Sequence, residues 1–176
     1  MRMLPTLLAL VLLTGSLQAA DNLPASFILA KIDGIEGELT NKEFNWENMI
    51  RIQTLNGEWT RNTAGQLLSK IKMEKRPQSV KFTKAVDKAT PLLVRRASDG
   101  VSIINAQFQF YGTITDDKGA TIIRANYFTI TLKNVTVTKT QIHTDATGNA
   151  TEEVTLDYEH CDMRSVTGKT EYISEK

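Results

Sequence analysis

The residues of this 176-residue chain best suited to chemistry are two histidines and one cysteine, and two of the three are adjacent. His160-Cys161-Asp162 sets a base, a thiol and a carboxylate in a row, the residue types of an activated nucleophile. Just upstream, Val154, Leu156 and Tyr158 alternate with Thr155, Asp157 and Glu159, which predicts a strand. If that strand continues, residues 160 and 161 point to opposite faces and cannot share a proton. His160 then falls on the apolar face with Tyr158, as a core histidine. His143 stands alone, and two histidines without converging carboxylates make no metal cage. Glu152 and Glu153 are neighbours, so on a strand they diverge and form no acid/base pair. Glu36, Glu38 and Asp116-Asp117 lie in or beside turns as solvated carboxylates, and a calcium loop would need further oxygen ligands at regular spacing. Asn134-Val-Thr and Asn149-Ala-Thr match the glycosylation sequon by pattern alone. Gly-x-Ser-x-Gly, a phosphate-binding glycine loop, His-Glu-x-x-His and Cys-x-x-Cys are all missing from the sequence. The expectation is a protein that is not an enzyme, with no catalytic residue, metal or cofactor.

The elements that would position these residues are mostly strands. Ala106, Phe108, Phe110, Gly112 and Ile114 alternate with Gln107, Gln109 and Thr113; after a turn at Asp116–Gly119, Phe128, Ile130 and Leu132 alternate with Tyr127, Thr129 and Thr131. Val135 and Val137 begin another strand, which a loop at Asp145–Asn149 returns into the Val154–Tyr158 strand. Phe27 to Ile32 and Met49 to Leu55 read as strands, with Asn56-Gly57 as a two-residue turn into Glu58-Trp59-Thr60. Ala64 to Met73 fits either a helical turn or a strand, and Gln78 to Thr83 leads into the short helix. The sum is a mainly β protein: a small, closed or nearly closed β-barrel of about eight strands with one short helix, Pro91–Ser98.

The first twenty residues read as a signal peptide. Arg2 supplies the charge, Leu4 to Leu13 the apolar run, Gly15-Ser16 the break and Ala19-Ala20 the small residues for cleavage after either alanine. The run is too short for a membrane helix, which needs about 20 residues. The domains are therefore 1–20, a leader, and 21–176, a single unit exported to the periplasm or beyond, with no membrane span left after cleavage. Removing Arg2 leaves 20 basic and 20 acidic residues, which excludes a general attraction to nucleic acid or to an anionic membrane. Cys161, the only cysteine, can form no internal disulfide and is expected to be a half-buried spectator.

The helix is the best-bracketed element, within KFTKAVDKATPLLVRRASDG (Lys81–Gly100). Thr90 is the expected N-cap, Pro91 suits the first helical position, Leu92, Leu93 and Ala97 form the buried side, and Asp99-Gly100 closes it. With VDKATPLL, the blocks LAKIDGIEGE (Leu29–Glu38), YFTITLKNVTV (Tyr127–Val137) and TEEVTLDY (Thr151–Tyr158) follow the order and spacing of the Hcp family. These are the tube proteins of bacterial type VI secretion, relatives of phage tail-tube proteins, and the resemblance runs from Phe27 to Cys161. It implies hexameric rings that stack into a hollow tube, with secreted effectors in the lumen and other secretion components as partners. In such a ring Arg51 and Gln53 are the expected lumen-facing residues, with Gln107 and Gln109 as candidates on another face; an ordinary exposed barrel surface is the alternative for all four. The chain departs from the family pattern in its leader, in Gln53-Thr54 where familiar members have a Trp-Ser pair and a glycine-rich excursion, and in lacking a matched aromatic after Cys161. The competing reading is an exported binding module of the same fold, outside any secretion tube.

Overall fold

The computed structural model describes residues 23–57, 78–115, 118–165 and 170–173. The leader, Glu58-Trp59-Thr60, the Ala64–Met73 segment and Asp116-Asp117 lie outside the described residues.

Strand β1 (Phe27–Ile32) is followed by β2 (Leu39–Asn41), β3 (Trp46–Ile52), β4 (Thr54–Gly57) and β5 (Gln78–Ala85). Helix α1 (Thr90–Asp99) comes next, then β6 (Ile103–Thr115), β7 (Thr121–Thr144), β8 (Ala150–Tyr158), β9 (His160–Ser165) and β10 (Thr170–Ile173). The strands form one antiparallel sheet in the order β2-β3-β1-β6-β7-β8-β5-β4, with β9 on β7 and β10 on β9. The architecture is mainly β with one short helix, as expected, but the described strands number ten and their ladder stays open between β2 and β4. Chain continuity brings the two ends together. Only Gln53 separates β3, which pairs with β1, from β4, which pairs with β5, and its N–H donates to the Thr83 carbonyl at 2.8 Å. The curl encloses Ala30, Ile50, Phe82, Phe108, Leu132, Leu156 and their neighbours in one core.

Two sequence expectations fail at one place. β7 is a single strand where two were expected, and β8 runs into β9 with only Glu159 between them. Asn134 takes φ 53° opposite that break, and its Nδ2 donates to Glu159 Oε2 at 2.8 Å while Glu159 N–H donates to the Lys133 carbonyl at 3.2 Å. Alternation shifts by one residue on both strands: Ile130 and Leu132 face the core before the step, Val135 and Val137 after it. His160 therefore does not lie on the apolar face with Tyr158; it is half-buried, and its neighbour Cys161 is the fully buried core residue. Asn56-Gly57 is likewise no turn, because Asn56 and Gly57 pair with Lys81 and Val80 inside the β4–β5 ladder.

Helix α1 extends one residue beyond the expected Pro91–Ser98 at each end. Gly100 closes it in the left-handed conformation, φ 63°, donating to the Arg96 carbonyl. Leu93 is fully buried and Leu92 and Ala97 pack against the core. Thr90 does not cap the helix. Its hydroxyl accepts from Asp87 N–H (3.2 Å) and Lys84 Nζ (2.9 Å) and donates to Glu152 Oε2 (2.8 Å), while the Asp87 carboxylate accepts from Ala89 N–H at 2.8 Å. Lys84 and Glu152, directly opposed on β5 and β8, are both fully shielded from solvent, and Lys84 Nζ also reaches Asp87 Oδ1 at 2.6 Å. The helix thus rests on a buried ion network. Gly37 lies so close to β3 that an added Cβ would collide with the Met49 carbonyl.

Candidate functional site: a polar sheet face

Residues paired directly across strands share one face of a sheet. Register therefore strings Arg51, Leu29, Gln109, Thr129, Arg164 and Glu171 into one row across β3, β1, β6, β7, β9 and β10. The next row runs Lys31, Gln107, Thr131 and Asp162. This is the face turned away from the core, because the intervening Ala30, Phe108, Ile130 and Cys161 are the core residues. Its glutamines are tied together: Tyr111 Oη donates to Gln109 Oε1 at 2.6 Å, Gln109 Nε2 to Gln107 Oε1 at 2.5 Å, and Gln107 Nε2 to Thr131 Oγ1 at 3.5 Å. Lys133 Nζ pairs with Asp162 Oδ2 at 2.7 Å alongside.

One end of the row rests on a second apolar cluster of Phe27, Leu29, Leu39, Trp46, Met49 and Tyr111. Phe27 stacks on Tyr111 at 5.2 Å between ring centroids, and Trp46 meets Phe27 edge-on at 5.5 Å. Burial there pushes the Tyr111 phenol above its ordinary pKa, and its hydroxyl donates the first bond of the glutamine chain. The result is a half-buried polar surface with its side chains held in place. It offers hydrogen bonds and no reactive group.

The predicted site residues are placed as follows. Arg51 is exposed in the row, and Gln107 and Gln109, expected on another face, share its face because β3 and β6 both pair with β1. Gln53 is exposed at the β3–β4 corner, outside the rows. Arg51 and Gln53 also line a groove of about 930 Å³ together with Glu38, Asp87, Ile28 and Phe110. His160, Cys161 and Asp162 form no catalytic set: Cys161 is buried on the core side and Asp162 is committed to Lys133 on the other. Among the described residues no group of His, Cys, Asp and Glu is arranged to hold a metal ion. Among the described residues, Asp145 is the one acid held far below its usual range, at about 2, because Thr147 and Asn149 donate to it within their loop.

Sequence reasoning missed the Lys84–Glu152 pair, although the signal was present. Lys84 is in period with Val80 and Phe82, and Glu152 with Val154, Leu156 and Tyr158, so alternation alone assigns both charges to the core side.

The fold is a curled antiparallel shell with one ordered polar outer face. The family model described as "Type VI secretion system effector, Hcp" matches residues 30–164, and the chain belongs to the Hcp family, the tube-like structural proteins of type VI secretion. No curated protein matches the chain. Among solved structures it is similar to Hcp1 from Salmonella typhimurium, with 18% identity and TM-score 0.63 over 85% of this chain and 92% of that one. It is similar as well to a type VI secretion system effector from Yersinia pestis, with 21% identity and TM-score 0.60 over 84% and 99%. Hcp3 from Pseudomonas aeruginosa, described as a secreted protein, has 18% identity and TM-score 0.58 over 85% and 96%. At these identities the structures establish the fold.

Proposed function

We propose that the mature chain is a non-enzymatic tube subunit that closes into hexameric rings, with the face carrying Arg51, Gln107 and Gln109 turned to the hole and Gln53 at its margin. Stacked rings would carry small effectors past that face. The leader would deliver the chain to the periplasm or outside the cell. The observation that carries this reading is the polar face itself. A fully assembled wall needs a water-compatible inner surface without reactive groups, and the Tyr111–Gln109–Gln107–Thr131 chain supplies one whose side chains are already ordered. The groove of about 930 Å³ favours the second reading, an exported binding module of the same fold.

Single cysteines at Arg51 and at Lys81, which is exposed on the opposite wall, separate the two readings. Cys161 is fully buried and gives no background. A small maleimide labels both variants of the assembled protein, and a bulky polymer maleimide labels only Lys81→Cys. Equal polymer labelling of both would refute an inward-facing Arg51.

A further inference from the structure

The glutamines of the polar face have hydrogen-bonding capacity left over. A glutamine amide carries two N–H groups and a carbonyl with two lone pairs. Along the Tyr111–Gln109–Gln107–Thr131 chain each glutamine uses one N–H and one lone pair, which leaves one donor and one acceptor on each. Both residues are half-buried, and they stand two apart on β6, about 6.8 Å along the strand.

That set matches an extended polypeptide. Each non-proline peptide group offers one N–H and one carbonyl. In an extended chain the groups turned to one side recur every second residue, at the same spacing of about 6.8 Å. The glutamines are already ordered by their own chain, so little side-chain freedom is lost when they pair.

Charge narrows the partner further. Lys133 is paired with Asp162, Arg164 stands across from Glu171, and Asp33 accepts from the Asn105 amide at 3.1 Å. Lys31 and Arg51 remain, both exposed and without a carboxylate partner among the described residues. Register sets Lys31 one strand from Gln107 and Arg51 two strands from Gln109, on the same flank, at about 4.8 and 9.6 Å. A chain lying along β6 turns every second side chain toward that flank, where carboxylates meet both cations. Nucleic acid fits less well. Two free cations are few for a phosphate backbone, and the neighbouring rings of Phe27, Trp46 and Tyr111 are buried and offer no stacking platform.

We propose that this face binds an extended polypeptide segment with acidic residues at alternate positions. Its backbone pairs with the Gln107 and Gln109 amides and its carboxylates with Lys31 and Arg51. This deepens the reading of the same face given above by naming the chemistry of what it meets.

Fluorescence anisotropy on the mature chain tests it with four labelled probes: a peptide alternating glutamate and threonine, the same peptide N-methylated along its backbone, a lysine–threonine peptide of equal length, and oligothymidylate. The glutamate–threonine peptide is expected to bind best. N-methylation, which keeps the charges and removes the N–H donors, weakens it about tenfold, and so does Lys31→Glu with Arg51→Glu. Lys81→Glu, on the opposite wall, leaves binding unchanged, and both variants keep the wild-type melt because the altered side chains are exposed. No binding of the glutamate–threonine peptide overturns the proposal. Equal binding of its N-methylated form, of the lysine–threonine peptide or of oligothymidylate does the same, as does equal weakening by Lys81→Glu. Mass in solution, measured on the same samples, separates this from the ring. Peptide bound by single subunits keeps the proposal and refutes the ring, whereas assembled protein that ignores the peptide does the reverse.

Discussion

Replacing Lys84 by methionine costs the protein about 3–5 kcal/mol, the usual effect of removing one partner from a buried ion pair. Lys84 and Glu152 are fully shielded, and Lys84 Nζ is within 3.1 Å of Glu152, Asp87, Thr90 and the Ala85 carbonyl. Methionine fills the volume but leaves the Glu152 and Asp87 carboxylates facing each other without a cation. The penalty is that of uncompensated buried charge, and it lowers the melting temperature by about 6–20 °C. Adding Glu152→Leu recovers most of the loss, because an apolar pair of similar volume replaces a buried ion pair at little cost. Chemical denaturation of the single and double variants checks both statements. A loss below about 1 kcal/mol for Lys84→Met would mean that the pair behaves like an exposed one. Because Thr90 belongs to the same network, the change should also loosen the start of α1, visible as faster amide exchange there.

Phe108→Ala is the second large effect, about 3–5 kcal/mol for an aromatic deleted from a closed core. Phe108 is fully buried in the middle of β6, flanked in register by Ala30 and Ile130. Its ring meets Phe82 of β5 edge-on, with centroids 5.6 Å apart. β5 and β6 are not neighbours in the sheet, so this contact crosses the interior from one wall to the other. The cost therefore reports on the curl. A sheet whose two walls did not share one core would relax around the missing ring and lose far less. Urea unfolding measures it directly.

Most of the framework was legible in the sequence because it obeys simple periods. Phe27–Ile32 is read correctly to the residue, the helix to within one residue at each end, and its glycine closure as it occurs. Failures cluster where two strands change parity together. Nothing in residues 133–135 announces that Asn134 takes a positive φ opposite Glu159, and that step decides which of His160 and Cys161 enters the core. Thr90 misled for a different reason. A threonine before Pro91 fits a cap, but here its hydroxyl is drawn into a network whose other members lie on β5 and β8, far away in sequence. The polar face was half legible. Alternation identified Arg51, Gln107 and Gln109 as outward, yet only the pairing of β3 and β6 with the same strand places them side by side.

Light-scattering mass of the chain lacking residues 1–20, followed across micromolar concentrations, tests the central claim most directly. A ring-forming tube subunit gives one assembled species of hexameric mass that persists on dilution and appears annular by electron microscopy. A single-subunit mass at every concentration would contradict it, and would leave the fold to a monomeric exported module.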